Sequence, residues 1–105
     1  MARPGFNGGI FQVHCSELIL EDFKQVQMRA KEEGRGELVL LASRHVLHQL
    51  SYDPFEFGEP LYRLPAMRLT VRHAAVGPLV IHFAVHDQMP LVFTKGVSLL
   101  PQKAL

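Results

Sequence analysis

Apolar positions along this chain follow two periods, and the switch between them divides it into a helical half and a strand half. Ile10 to His14 is a short run of β-branched and aromatic residues, which reads as a strand. Ser16 then has the chemistry of a helix N-cap, with Glu17, Glu21 and Asp22 acidic in the turns that follow. Ile19, Phe23, Val26 and Ala30 repeat at intervals of four, three and four, which is one stripe of a helix. Lys31 near its end and Gly34 just past it close a first helix over Ser16 to Glu33. Gly34-Arg35-Gly36 is a tight corner. A second helix is predicted from Glu37 to Leu50, with Leu38, Leu41, Ala42, Val46 and Leu50 on one stripe and Val39, Leu40 and Leu47 widening it. So apolar a helix is expected to be buried on two sides. Asp53-Pro54 ends it. The short corner requires the two helices to lie side by side, roughly antiparallel.

Tyr52 to Pro65 is a loop rich in proline, glycine and aromatics, with Leu61-Tyr62-Arg63 as a short strand inside it. After Pro65 the period becomes two. Met67, Leu69, Val71 and His73 alternate with Arg68, Thr70 and Arg72. Gly77-Pro78 turns the chain, and Leu79, Ile81, Phe83 and Val85 alternate with Val80, His82, Ala84 and His86. Asp87-Gln88 turns it again before Leu91, Phe93, Lys95 and Val97, which alternate with Val92, Thr94 and Gly96. Three strands with tight turns form an antiparallel meander. The predicted fold is therefore α+β in the order β-α-α-β-β-β, a two-helix hairpin packed on a twisted antiparallel sheet. Its core rows are Met67/Leu69/Val71, Leu79/Ile81/Phe83/Val85 and Leu91/Phe93/Val97. The opposite rows then place Arg68, Thr70, Arg72, His82, His86 and Thr94 together on the outer face. Val80, Ala84 and Val92 make that face half apolar, which favours a covering partner over bare solvent.

The domain is expected to span 10–101, with 1–9 as a flexible arm opposed to regular structure by its glycines and proline, and 102–105 as a tail. The 105 residues suffice for one hydrophobic core. With 48% hydrophobic residues and a net charge of +1, the composition excludes intrinsic disorder. A single cysteine, Cys15, excludes a disulfide scaffold and suits a reducing compartment. The longest apolar run, Leu38 to Ala42, is far below the ~20 residues a bilayer requires, and no secretory leader pattern is present. The expectation is a cytoplasmic protein without membrane contact. Charge is uneven along the chain: Pro60 to His86 holds Arg63, Arg68 and Arg72 and no acid. That stretch points to an anion- or RNA-facing surface, or to an ordinary solvated sheet face.

Among the six histidines, His82 and His86 stand four apart on a strand, about 13 Å, too far to share one ion. His45 and His48 are one helical turn apart but have no third ligand in the pattern. Cys15 precedes a helix N-terminus, which favours a thiolate, although a lone cysteine is most often a small buried hydrophobe. No phosphate loop or dinucleotide glycine pattern occurs. No metal or small-molecule cofactor is therefore expected.

The element order and several segments resemble the RelE/ParE toxin superfamily of toxin–antitoxin systems. Leu50-Ser-Tyr-Asp-Pro-Phe-Glu-Phe-Gly-Glu-Pro-Leu61 is similar to the family's helix-ending segment, Leu79 to Val85 to its central strand, and Leu91 to Lys95 to its last strand. The likeness covers Ile10 to Pro101. It implies a cognate antitoxin that wraps the protein, and one of two targets: mRNA on the ribosome, cut without metal, or DNA gyrase, inhibited without chemistry. The chain departs from the nuclease pattern, since Val80 stands at the family's arginine and Phe83 at its tyrosine. A metal-free nuclease built here would use Arg68 and Arg72 on the phosphate and His82 as base or acid. The favoured expectation is a toxin-like module acting by protein binding through Val80, Ala84, His86 and Thr94. The alternatives are the endonuclease and a non-toxic interaction domain of the same fold.

Overall fold

The computed structural model describes residues 10–101. The arm expected at 1–9 and the tail at 102–105 lie outside the described residues. The elements run β1 (Gln12–His14), α1 (Glu17–Glu32), α2 (Gly36–Tyr52), β2 (Glu59–Leu64), a single 3-10 turn (Pro65–Met67), β3 (Leu69–Val76), β4 (Leu79–His86) and β5 (Leu91–Leu99). They form two helices packed on a five-stranded sheet of order β1-β5-β4-β3-β2, which is the predicted α+β architecture. One detail differs. The sheet is mixed, because β1 pairs with β5 in parallel while the other neighbours are antiparallel. A parallel pair needs a long crossover, and the two helices with the meander supply it.

Local chemistry explains the helix ends. The Ser16 hydroxyl accepts from the Ile19 amide at 3.3 Å and caps α1. At the other end the Arg35 amide donates to Ala30 O and the Gly34 amide to Lys31 O, with Gly34 at φ +75°. This is a Schellman closure, which requires a residue able to adopt the left-handed conformation. It turns the chain directly into α2.

The main core lies between the helices and the sheet. It joins Ala30 of α1 and Val39, Ala42, Val46 and Leu50 of α2 to Leu79, Ile81, Phe83 and Val85 of β4. The β4 row is the one predicted. The rows on its neighbours are not. Val71 pairs with Ala84 and Arg72 with Phe83, so Thr70, Arg72, Ala74 and Val76 face the helices while Leu69 and Val71 face away. On β5, Val92 and Thr94 face the helices, and Leu91 and Phe93 face away. A register shift opposite His82/Phe83 then returns Val97 and Leu99 to the helix side. Leu69, Val71 and Ala84, with Leu64 and Phe93 against them, form a second small cluster on the face opposite the helices.

Helix α2 is also less covered than expected. Only Val39, Ala42, Val46 and Leu50 are buried; Leu38, Leu40, Leu41 and Leu47 are exposed. In a two-layer fold α2 touches α1 and the sheet along one stripe, and nothing among the described residues packs on its other sides.

Candidate functional site

The residues expected to share one surface are divided between two faces and a turn. Arg72 lies on the helix side of β3. Its Nε donates to Phe57 O at 3.0 Å and its Nη2 to Gly58 O at 2.9 Å. It thus fastens the loop after α2, in which Pro54 and Phe57 are buried and Phe57 stacks on Phe83 with ring centroids 5.6 Å apart. Gly58 in that loop sits at φ +69°, and a Cβ there would stand 2.0 Å from His73 O, so only glycine fits under the arginine clamp.

Arg68 lies at the turn before β3 in the left-handed region, φ 55°, with its guanidinium on Gln88 Oε1 at 2.6 Å. Its carbonyl accepts from the Asp87 amide at 2.8 Å, closing the corner between β3 and the end of β4. Arg63 donates to Asp87 Oδ2 at 2.5 Å, and Thr70 donates to Asp87 Oδ1 at 3.1 Å. The acid-free stretch of sequence is therefore met by an acid from just beyond it. All three arginines engage protein acceptors, of which Asp87 alone carries a charge.

His82 lies on the face away from the helices, opposite His73, with the two imidazoles stacked at a centroid distance of 5.9 Å. Arg72 and His82 point to opposite sides of the sheet, so they cannot act on one phosphodiester. Val80, Ala84 and His86 share the face of His82, as expected. His86 Nδ1 accepts from the Gln88 and Met89 amides at 3.1 and 3.0 Å. Thr94 does not join them. It is 7% exposed on the helix side, with its hydroxyl 3.1 Å from Cys15 Sγ. Cys15 is exposed rather than a buried hydrophobe.

Two members of the open face escaped the sequence pattern. His73 alternates in phase with Leu69 and Val71, and His14 ends the first strand, whose short run assigns it to neither face. His14 stacks on Phe93 at 5.3 Å. The face away from the helices thus carries four imidazoles around the Leu69/Val71/Ala84 cluster. The signal that could have found them is the mixed parity of β3, where Leu69 and Val71 alternate out of phase with Ala74 and Val76. His45 and His48 are separated in use: His45 sets its edge on Phe57, and His48 lies against Tyr52. Among the described residues no three His, Cys, Asp or Glu side chains converge as metal ligands. No helix there is long and apolar enough to cross a membrane.

Among the described residues, several large apolar side chains of α2 are also left uncovered. Seen down α2 at 100° per residue, Leu38, Leu41 and Tyr52 lie on one flank of the buried stripe, and Leu40 and Leu47 on the other. His45 and His48 extend the first flank. No protein-family model, curated protein or solved structure matches this chain.

Proposed function

We propose that the protein is a RelE/ParE-like toxin module of a type II toxin–antitoxin pair and that it works by binding protein rather than by cutting RNA. The observation that carries the binding half of this reading is the exposed apolar surface of α2, with Leu38 and Leu47 each 57% exposed. Isolated surface leucines need no explanation, but Leu38 and Leu41 share one flank of α2 with Tyr52 and form an apolar strip of the kind that partners cover. Arg72 and His82 lie on opposite faces of the sheet, and Arg63, Arg68 and Arg72 already bond Asp87, Gln88 and the loop carbonyls, which weighs against a metal-free nuclease built on these residues. The toxin-like half rests on the likeness of Leu50 to Leu61, Leu79 to Val85 and Leu91 to Lys95, and on the order in which a strand, two helices and an antiparallel run of strands follow one another.

The cognate partner is a small antitoxin encoded beside it, and the cellular target is a protein such as DNA gyrase. Co-expression with the product of the adjacent reading frame, followed by pull-down, tests the pairing. A stoichiometric complex is expected, and so is growth arrest when the protein is expressed alone. New mRNA 5′ ends during arrest would overturn the non-nuclease reading. Normal growth together with no captured neighbour would overturn the toxin reading.

A further inference from the structure

Strand β5 is nine residues long, but β1 pairs only with its first part, Leu91 to Phe93. At His14 the chain leaves the sheet and passes into α1, which runs on beside β5. Among the described residues, nothing pairs with the stretch from Lys95 to Leu99 on the side away from β4. The orientation of its amides is fixed by one hydrogen bond. Leu100 N–H donates to Pro78 O at 2.7 Å, toward β4. Peptide groups alternate sides along a strand, so the N–H and C=O groups of Val97 and Leu99 point outward to the vacant edge.

A groove lies along that edge. Its first part, about 520 Å³, is bounded by Asp22, Gln25, Val26 and Arg29 of α1 and by Val97 and Leu99 of β5. It continues past Arg29 and Leu99 into a second part of about 390 Å³ that ends at Leu100 and Pro101. Leu18, 79% exposed, stands on the same helical stripe as Asp22, Gln25, Arg29 and Glu32. The walls hold an acidic excess. Asp22 and Glu32 face Arg29 alone, because Arg35 is engaged by Glu33 and by Leu100 O.

We infer that this edge accepts an extended segment of another protein, added as a further strand, with basic side chains alternating with apolar ones. Backbone donors and acceptors in a row are satisfied by another extended backbone. Basic side chains on the helix side of that strand meet Asp22 and Glu32, and the apolar ones that alternate with them lie on the opposite face of the sheet. A second copy of this chain fits less well, since it brings the same acidic stripe to the junction. The other sheet edge is unsuited to the role. β2 carries Pro60, which has no N–H to offer an added strand, whereas the stretch from Lys95 to Leu99 holds no proline. This site is separate from the α2 surface, so either can fail without the other.

The test is an NMR titration of the labelled protein with a short end-blocked peptide of alternating valine and lysine, and with its valine–glutamate counterpart. Saturable shifts are expected for Lys95 to Leu99 and for the Asp22–Glu32 stripe, with the lysine peptide bound more tightly. Leu99→Pro removes one outward N–H while leaving the β4 ladder, and should weaken binding about tenfold or more. Should that variant fail to fold, Asp22→Lys with Glu32→Lys on the exposed stripe should reverse the preference between the two peptides. No saturable binding, shifts centred on β2 or the open face, or Leu99→Pro binding as tightly as the parent would each overturn the proposal. A dimer joined through β5 would overturn it in favour of self-association.

Discussion

Replacing Arg72 by alanine is expected to destabilise the protein by about 1.5–3 kcal/mol, the range for hydrogen bonds to a charged donor whose loss leaves acceptors unmet. Both bonds go to main-chain carbonyls of one loop, Phe57 O and Gly58 O. A lysine cannot reproduce the fork and should restore only part of the loss. Urea unfolding of the two variants checks this, and an unchanged midpoint for Arg72→Ala would show that the clamp is not needed. Gly58→Ala should cost roughly 2–4 kcal/mol, because a Cβ collides with His73 O and the residue sits at positive φ. Phe83→Ala, at the centre of the main core and stacked on Phe57, should cost about 3–5 kcal/mol in the same measurement. The alternation of β4 places Phe83 in the core from sequence alone. Nothing local in the sequence says where Arg72 points, because its face follows from pairing with Phe83, a contact between strands.

The same distinction holds for whole elements. Helix α1 was legible because its apolar stripe, its Ser16 cap and its Gly34 terminator all agree. Helix α2 was legible in extent but not in burial. Leucines on every side predict full burial, and only the number of layers decides which of them are covered. β3 and β5 were legible as strands and not in phase. β3 carries apolar residues in both parities, and β5 changes parity at its register shift, so a single alternating row misplaces all of β3 and the first part of β5. The candidate site failed with the phase, since Arg72, Thr70 and Thr94 moved to the helix side. A consequence follows for α2. Leu38→Lys with Leu41→Lys should shift stability by no more than about 0.5 kcal/mol, as for exposed positions generally. The same pair should abolish capture of the adjacent-frame protein in pull-down. Loss of folding in circular dichroism would mean that these leucines are core after all.

At the scale of the molecule, connectivity sets an order of assembly. The β3–β4 hairpin closes through Gly77-Pro78, and β4–β5 through the short turn after His86, so the meander pairs strands close in sequence. β1 is different. Gln12 must meet Leu91 across nearly the whole chain, and the loop entropy of that closure is met before any contact rewards it. The pair is also short, three residues, so it supplies little energy with which to nucleate folding. The meander with the helices against Phe83 should therefore form in the folding transition state, and β1 should dock afterwards. Stopped-flow kinetics can separate the two. Phe83→Ala should slow refolding markedly, while Val13→Ala, which trims the strand that docks late, should leave the refolding rate nearly unchanged and accelerate unfolding. If Val13→Ala slows refolding in proportion to its loss of stability, the long-range parallel pair is part of the nucleus. β1 would then be what registers β5, and not a strand that docks on a sheet already built.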